Sequence, residues 1–379
     1  MPTLQDVANE AGVSVATASR VLNGAKHNRR ISGEARELVR ATAERLGYRA
    51  AYHRRSINRG RSDTLGVALD VHAPVEPPGP PSVLSDVFFT RLLAGVEQAT
   101  HRVGLNLSLI VPSERQRAGE RGLRQMQEGR LDGLVVLPST AQGRLDETCT
   151  ALARQNQHPA VVGVYTDGPR PYASISADPE GAVRLLIPHL ADLGHRELLW
   201  FGPADRHGDQ APPSMREQAF LASAFELGMS GRLVHYPWRT AGQHADAEAV
   251  ADEREAVLTA FLDQEQPRFT AVVAYNDAAA ISAVRVLQGR GLVVPRDISV
   301  VGVDNLDASA NTLRLTTVDQ RLEDMGRLAG EWLGELLDAA PDARGEIARR
   351  HTPLPPTLHV RESSGPAPAP TASSTPSAK

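Results

Sequence analysis

The sequence predicts an all-α helix–turn–helix headpiece followed by an α/β domain of two lobes with parallel, doubly wound sheets. Three observations predict this architecture. Residues 3–24 have a helix–turn–helix pattern, apolar runs alternate with helical stretches from Thr64 onward, and charge is unevenly distributed. Residues 1–62 hold twelve basic and five acidic residues, whereas the remainder holds 29 basic and 40 acidic residues. A basic segment ahead of an acidic body is typical of a nucleic-acid-binding arm.

The first two helices of the headpiece follow from their capping residues. Thr3 can cap a first helix, and Asp6, three residues later, favours the same start. Gly12 supplies a turn, and Ser14 can cap a second helix that begins at Val15. A short helix, a glycine turn and a second helix rich in small and polar side chains is the shape that enters a DNA major groove.

A third helix completes the headpiece, which we expect to span residues 1–48. Ser32 is its cap and Gly47 lies just beyond its end. Residues spaced by three and four positions give it one core-facing side, formed by Ala35, Leu38, Val39, Thr42, Ala43 and Leu46. Ala18 and Val21 of the second helix are expected to pack against that side.

The body of the chain has the pattern of parallel sheets. Apolar runs typical of buried strands occur at residues 65–70, 106–111, 132–138, 160–165, 197–203, 270–277 and 298–305. Most are separated by helical stretches, which indicates sheets covered on both faces, and their number predicts two lobes. Ligands of such folds bind beyond the carboxyl ends of the strands. Those ends carry Asp70, Asn276, Asp277, Asp304 and Asn305.

Composition and missing motifs exclude several classes of protein. Cys149 is the only cysteine, so disulfides and cysteine-based zinc sites are excluded. There is no apolar run of 18 residues and no signal-peptide pattern, so we expect a cytoplasmic protein without a membrane segment. The chain has no G-x-S-x-G, P-loop, H-E-x-x-H or dinucleotide fingerprint, so we expect no enzyme, no cofactor and no metal.

Seven segments carry a resemblance to a known family, in the order LQDVANEAGVS, SRVLNG, ARELVRATAERLGYR, RRSINRGRSDTLGV, ADLGHRELLWFGP, TAVVAYNDAAAISAVRVLQGRGLVVPRDISVVGVDN and HVRES. Together, from Thr3 to Ser363, they resemble the LacI/GalR family of transcription regulators. The resemblance implies a regulator, expected to be a repressor, that binds a palindromic operator in double-stranded DNA as a homodimer. It also implies control by a small molecule, commonly a sugar, bound between two lobes similar to periplasmic sugar-binding proteins.

The resemblance also divides the chain. We expect a headpiece at 1–48, a hinge or linker helix at 49–63, an effector-binding and dimerisation domain at 64–362 and a disordered tail at 363–379. Within the domain, the first lobe should comprise about 64–165 and 319–342, and the second about 166–318 and 346–362. The tail is rich in Pro, Ala and Ser and cannot form the leucine-heptad helix that makes some relatives tetramers, so we expect a dimer.

The resemblance assigns DNA contacts to residues of the headpiece and linker. They are Thr3, Ser14, Val15, Ala16, Thr17, Ser19, Arg20, Asn23, Arg55 and Ile57. Val15 and Ala16 suit thymine methyl groups, Arg20 suits a phosphate or a guanine edge, and Ile57 stands where the family inserts a leucine into the minor groove. Two segments depart from the family pattern, namely Ala50–Arg54 in the linker and the longer loop Ala25–Arg30.

Effector binding is assigned in the same way to Phe88, Phe89, Arg216, Trp238, Asn276 and Asp304. Guanidinium, amide and carboxylate groups suit the vicinal hydroxyls of a sugar, and aromatic rings suit its apolar face. Competing structural roles are helix capping for Asp178 and Asp277 and core packing for Trp238.

Several alternatives stay open. A purine-type effector or an activator role is possible within the family. A cytoplasmic solute-binding protein without regulatory function is the alternative from another class, although the headpiece argues against it.

Overall fold

The computed structural model describes residues 2–22, 31–48, 61–69, 87–112, 116–137, 143–166, 168–204, 214–237, 247–264, 269–306 and 313–369. The headpiece contains the predicted three helices, α1 (Leu4–Glu10), α2 (Val15–Leu22) and α3 (Gly33–Arg45). Thr3 and Asp6 form a reciprocal capping box at α1, and the Ser32 hydroxyl accepts from Ala35 N at α3. The predicted capping of both helices is therefore confirmed.

The headpiece has its own apolar core. Ala18 and Val21 of α2 are buried against Val7 and Val39, as their spacing predicts. Leu38, which the same spacing placed in this core, is instead 52% exposed. Three short helices enclose too small a volume to bury a full apolar stripe on α3, so Leu38 lies at its edge.

The first lobe is built on a sheet of six strands in the order β11-β5-β4-β3-β1-β2, and every neighbouring pair is parallel. The strands are β1 (Thr64–Leu69), β2 (Asn106–Ile110), β3 (Gly133–Leu137), β4 (Val161–Thr166), β5 (Ala173–Ser176) and β11 (His351–Pro353). Its helices are α4 (Val87–Val103), α5 (Ala118–Gln127), α6 (Gly143–Arg154), α11 (Leu322–Asp338) and α12 (Pro341–Ala348).

The second lobe repeats this plan with the order β12-β10-β9-β8-β6-β7, and only the β10–β12 pair is antiparallel among the described pairs. Its strands are β6 (Glu197–Pro203), β7 (Ser230–Tyr236), β8 (Ala271–Ala274), β9 (Ser299–Val303), β10 (Thr316–Asp319) and β12 (Thr357–His359). Its helices are α7 (Pro179–Asp192), α8 (Met215–Glu226), α9 (Ala247–Gln264) and α10 (Asp277–Gly289).

Successive side chains along a strand point to opposite faces of the sheet, and this explains why helices cover both faces of each sheet. In β6, Leu199 and Phe201 face the core formed with α9 and α10, whereas Leu198 and Trp200 face the core formed with α7 and α8. Successive side chains of a strand point to opposite faces, so a continuous apolar run needs a helical layer on each side. The predicted doubly wound fold is confirmed.

The predicted division between the lobes is corrected at two points. We expected the chain to enter the second lobe at residue 166, yet β5 pairs with β4 and belongs to the first lobe. Likewise, β11 lies in the range 346–362 assigned to the second lobe but pairs with β5. These strands have four and three residues, which is too short for a periodic sequence signal.

The expected tail also begins later than residue 363. Ser363 is buried, its hydroxyl donates to the Val300 carbonyl at 2.6 Å, and its own carbonyl accepts from Val300 N at 2.8 Å. The imidazole Nε2 of buried His195 lies 3.0 Å from the Gly365 carbonyl. Residues 363–367 therefore belong to the second lobe, because specific polar partners hold a segment of low hydrophobicity. Residues 370–379 lie outside the described residues.

Helices α4 and α11 of the first lobe pack backbone to backbone. A Cβ atom at Gly95 would overlap the Glu323 carbonyl, and one at Gly326 would overlap the Leu92 carbonyl. Only glycine allows this approach. Since α11 directly follows β10, the close packing attaches one connection between the lobes firmly to the first lobe. No helix in the described part of the chain combines the length and apolar character needed to cross a membrane.

We expect Gly326→Ala to destabilise the protein by about 1–3 kcal/mol, because the added methyl group forces α4 and α11 apart. The matched control is Gly334→Ala in the same helix, where nothing lies within 4 Å of the added Cβ. That control should be neutral or stabilising by up to about 1 kcal/mol, since alanine favours helix. Denaturant unfolding measures both, and equal effects would contradict the close packing.

A second prediction concerns pH. Burial lowers the pKa of His195 and of His189 below the ordinary value of 6.5. Protons then bind the unfolded chain more readily, so stability is present above pH 6.5 and is lost as the pH falls below it. We expect His195→Gln to reduce the loss of melting temperature between about pH 7.5 and about pH 5.5. The exposed His101→Gln is the control, and an unchanged loss in the His195 variant would refute this role.

Candidate functional site

Ser14 caps the N-terminus of α2. The Ser14 hydroxyl accepts from Thr17 N at 3.1 Å and lies 2.8 Å from the Thr17 hydroxyl, so the predicted cap forms. Ala16 and Arg20, four residues apart, are exposed on the same side of α2. Val15 packs partly against the headpiece core. The surface that α2 offers to a partner therefore combines a methyl group with a guanidinium.

Of the other predicted DNA contacts, the structure describes Thr3, Thr17 and Ser19. Thr3 is exposed, but its hydroxyl hydrogen-bonds to the Asp6 carboxylate at 2.7 Å within the capping box. Ser19 and Thr17 are half-buried on α2. Asn23, Arg55 and Ile57 lie outside the described residues, as do the two atypical segments Ala50–Arg54 and Ala25–Arg30.

The predicted effector residues Arg216 and Asp304 meet in the second lobe. Arg216 is the second residue of α8, whose cap is Ser214, and Asp304 follows β9 directly. Their side chains are both buried, and Arg216 Nη2 lies 3.6 Å from Asp304 Oδ1. Arg216 Nη1 also donates to the Tyr275 carbonyl at 2.6 Å, and the guanidinium lies 4.7 Å from the centre of the Tyr275 ring.

Two residues that the sequence analysis missed extend this pair into the first lobe. Gln320, between β10 and α11, donates its amide to Asp304 Oδ1. The Tyr165 hydroxyl, from β4, donates to Gln320 Oε1 at 2.7 Å and accepts from Arg216 Nη2 at 3.4 Å. Tyr165 ends the apolar run at residues 160–165, which was the available signal, whereas Gln320 follows β10, whose sequence TTVD is not an apolar run. We call Tyr165, Arg216, Asp304 and Gln320 the cleft network.

Burial and neighbouring charges keep Tyr165 and Arg216 each in one protonation state at neutral pH. Burial raises the pKa of Tyr165 to about 12, so its hydroxyl stays a hydrogen-bond donor at neutral pH. Burial alone would lower the pKa of Arg216, but Tyr165 and Asp304 raise it, and the net effect is upward. The site therefore holds a fixed cation and a neutral hydroxyl, beside the Asp304 carboxylate.

The backbone is strained where the cleft network lies. Tyr165, Asp304, Asn305 and Arg321 have φ values of 58°, 116°, 51° and 59°, in the region that favours glycine. Such conformations cost about 1–3 kcal/mol each and persist only where surrounding contacts hold them. Here Asp304 N donates to the Val318 carbonyl at 2.9 Å, and Arg321 N donates to Asp319 Oδ1 at 2.6 Å.

The remaining predicted effector residues have distinct placements. Asn276 Oδ1 accepts from Ala279 N at 2.9 Å and so caps α10, next to Tyr275. Phe88 is half-buried with its ring centre 4.9 Å from that of Tyr165, whereas Phe89 is buried in the first-lobe core. Trp238 lies outside the described residues.

The two aspartates with a competing structural role differ from each other. Asp178 Oδ1 accepts from Gly181 N at 2.7 Å and caps α7 as expected. Asp277 is fully buried, and its two carboxylate oxygens accept from the Thr317 hydroxyl and from Leu306 N at 2.9 Å. It therefore fixes the segment after Asp304 instead of capping a helix. No cluster of three or more potential metal-ligating side chains occurs among the residues that the structure covers.

Comparison with known families gives two matches. Residues 3–50 match the family described as bacterial regulatory proteins, lacI family, and residues 187–364 match a periplasmic binding protein-like domain. An uncharacterized HTH-type transcriptional regulator in the aml 5′ region of Streptomyces limosus is 31% identical over 369 residues, covering 96% of this chain and 94% of that protein. The HTH-type transcriptional repressor MelR of Bacillus subtilis is 28% identical, covering 96% and 98%.

Solved structures share the fold. The lac repressor dimer bound to operator and the anti-inducer ONPF has a TM-score of 0.70 at 24% identity, covering 96% of this chain and 99% of that one. The transcriptional regulator CelR in complex with cellobiose has a TM-score of 0.57 at 23% identity, covering 96% and 100%. At this identity the likeness concerns the fold.

The ion pair in the cleft network should be strongly coupled. We expect the double-mutant cycle of Arg216→Met and Asp304→Asn to give a coupling free energy of about 1–3 kcal/mol in unfolding, because either single variant leaves a buried polar group with a lost partner. The control cycle uses Arg285 and Glu255, an exposed pair at 3.3 Å in the same lobe, and should give about 0–1 kcal/mol. Equal couplings would contradict the inferred burial.

Proposed function

We propose, from the premise that this chain belongs to the lacI family of bacterial regulatory proteins, that it is a DNA-binding repressor controlled by a small-molecule effector. The regulators of this family are not enzymes. The proposal adds that two copies bind one palindromic operator, and that the effector is a polyhydroxylated molecule of the sugar class. The observation that carries it is the cleft network, which joins both lobes through groups suited to hydroxyls.

The chemistry of the cleft network supports a polyhydroxylated effector. Arg216 offers donors, Asp304 offers acceptors, and the Tyr165 hydroxyl does both, which is how vicinal hydroxyls are bound. The side-chain Oδ1 of Asn276 accepts in the cap of α10, so a ligand would meet its Nδ2 donor. In the described structure these polar groups are partners of one another. An effector must therefore replace contacts that cross between the lobes.

A continuous route supports coupling between the effector and DNA. Gln320 of the cleft network precedes Arg321, the N-cap of α11, and α11 ends beside Arg61 of the predicted linker. There Arg61 donates to the Leu337 carbonyl and forms an ion pair with Asp338 at 3.3 Å. A displacement of Gln320 would thus reach the residue where the linker enters the first lobe. Binding energy at one site can then bias the other.

The decisive experiment is recovery of genomic DNA fragments bound by the full chain at near-physiological salt, because low salt favours non-specific binding. An enriched near-palindrome is expected. Defined probes, namely common sugars, hypoxanthine and guanine, are then tested for release of that DNA. Release by a purine and not by any sugar would replace the proposed effector class, and the absence of an enriched site would overturn the operator assignment.

Effector and operator should also oppose each other reciprocally. A sugar that weakens operator binding about tenfold should itself bind about tenfold more weakly to the protein–operator complex, because coupling free energy is shared by both ligands. Isothermal titration with and without operator measures this. Affinities unaffected by operator would rule out effector control through this site.

The exposed guanidinium of α2 should carry operator affinity. We expect Arg20→Ala to weaken operator binding by about 1–3 kcal/mol, through loss of a phosphate or guanine contact. Arg40→Ala, an exposed arginine of α3, removes the same charge from the headpiece and is the matched control. Filter binding or fluorescence anisotropy at fixed salt compares them. Equal losses would show that Arg20 contributes only general charge.

A further inference from the structure

The chain from the headpiece enters the first lobe through residues 61–64, which we call the junction. The junction lies at the edge of the first sheet where β1, β2 and β3 all begin, because these neighbouring strands are parallel. The cleft network reaches the same sheet through Tyr165, near the end of β4, which is the opposite edge. The junction is therefore separate from the cleft, and its contacts concern the attachment of the headpiece.

Asp132, the residue before β3, holds Ser62 of the junction at two points. Its Oδ1 accepts from Ser62 N at 2.6 Å and from the Ser62 hydroxyl at 3.0 Å. Ser62 is only 3% exposed, so little water competes for these hydrogen bonds. Asp132 Oδ2 is buried and accepts no hydrogen bond from the residues that the structure describes. In that part of the chain, the hydrogen bonds of this carboxylate therefore all go to the junction.

Two other elements of the first lobe also hold the junction. Arg61 donates to the Leu337 carbonyl and pairs with Asp338 at the end of α11. The Asp63 carbonyl accepts from Asn106 N at 2.9 Å, where β2 begins. Asp63 has a φ of 50°, in the region that favours glycine, and such a conformation persists only where surrounding contacts hold it. Together with Asp132, these contacts fix the direction of the chain where it enters the lobe.

We propose that Asp132 is a positioning residue for operator binding, because it fixes the direction in which each chain leaves its first lobe toward the headpiece. This inference rests on the proposed function, in which two copies bind one palindromic operator. Half-site spacing on DNA mirrors the separation of the two reading helices. A junction that is held in one direction limits the spacings that a pair of headpieces can span. Asp132 thereby selects among operators without contacting DNA.

The test uses the operator recovered by genomic binding, and versions of it with one base pair inserted or removed at the centre. One base pair changes the half-site separation by about 3.4 Å along the axis and about 35° around it. We expect the wild-type full chain to prefer the recovered spacing at least about tenfold, equivalent to about 1.4 kcal/mol. Asp132→Ala removes the acceptor for Ser62 and should reduce this preference at least about threefold. Asp132→Asn keeps Oδ1 as an acceptor and should retain the preference.

Controls separate positioning from a general loss of structure. The preference is a ratio of two affinities measured on one protein, so a smaller folded fraction lowers both affinities and leaves the ratio unchanged. DNA with a single half-site should bind Asp132→Ala as well as it binds the wild type. Glu128→Gln removes a carboxylate from the chain between α5 and β3, where Glu128 pairs with the exposed Arg130 at 3.2 Å, and should leave the spacing preference unchanged.

A second readout needs no DNA. Ser62 N belongs to the Arg61–Ser62 peptide bond, which is a trypsin site, and its hydrogen bond to Asp132 holds that peptide in place. Brief trypsin treatment of the full chain should cut this bond at least about tenfold faster in Asp132→Ala than in the wild type or in Glu128→Gln, because cleavage requires local opening. Mass spectrometry of the fragment that begins at Ser62 measures the rate.

The proposal is overturned if the wild type binds all three spacings equally, if Asp132→Ala keeps the wild-type preference, or if the Arg61–Ser62 bond is cut equally fast in both proteins. Loss of half-site binding in Asp132→Ala would also contradict it, since Asp132 would then support the headpiece itself. If the wild type enriches no near-palindrome, the proposed function fails first and the positioning role fails with it. That result differs from a wild type that selects an operator while Asp132→Ala keeps the same preference.

Discussion

The buried ion pair between Arg216 and Asp304 constrains the rest of the second lobe and its connection to the first. A guanidinium removed from water is tolerable only with a partner and with its other donors satisfied. Asp304, the Tyr275 carbonyl and the Tyr165 hydroxyl meet that requirement. Because Tyr165 belongs to the first lobe, stabilising this charge also brings the two lobes together. Under the proposed function, an effector entering the cleft would have to replace these hydrogen bonds, which favours a molecule rich in hydroxyl groups.

The need to satisfy the buried Arg216 guanidinium also explains why the backbone is strained just after β9. Asp304 and Asn305 leave β9 with left-handed φ values, which turns the first side chain toward Arg216 and the second toward the lobe connections. Asn305 Nδ2 donates to Asp319 Oδ2 at 3.0 Å, and the Asn305 carbonyl accepts from Arg91 of the first lobe at 2.7 Å. Strain in this dipeptide is thus held by hydrogen bonds on both sides of the cleft. Disturbing Asp304 therefore affects contacts of both lobes.

Much of this arrangement follows from local sequence, and the remainder does not for identifiable reasons. Apolar runs and capping residues predicted the doubly wound lobes and the headpiece, since both signals arise from neighbouring residues. Family resemblance named Arg216 and Asp304 as effector residues, but their pairing with each other was not predicted. Gln320 and Ser363 were missed because their roles depend on partners far along the chain, Asp304 in one case and Val300 in the other. Short strands and left-handed non-glycine residues carry too little local pattern to be recognised.

Helix α11 runs from the cleft network to Arg61, the residue at which the chain from the headpiece enters the first lobe. Its first turn follows Gln320, and its last turn receives Arg61, where a cation is favoured by the partial negative charge of the helix C-terminus. The glycine contacts place the α11 backbone directly against the α4 backbone, so α11 packs as part of the first lobe. We therefore expect a change at Gln320 to act on the first lobe as a unit. Under the proposed function, the effect of a bound ligand would thus reach Arg61, the residue at which the chain enters the first lobe.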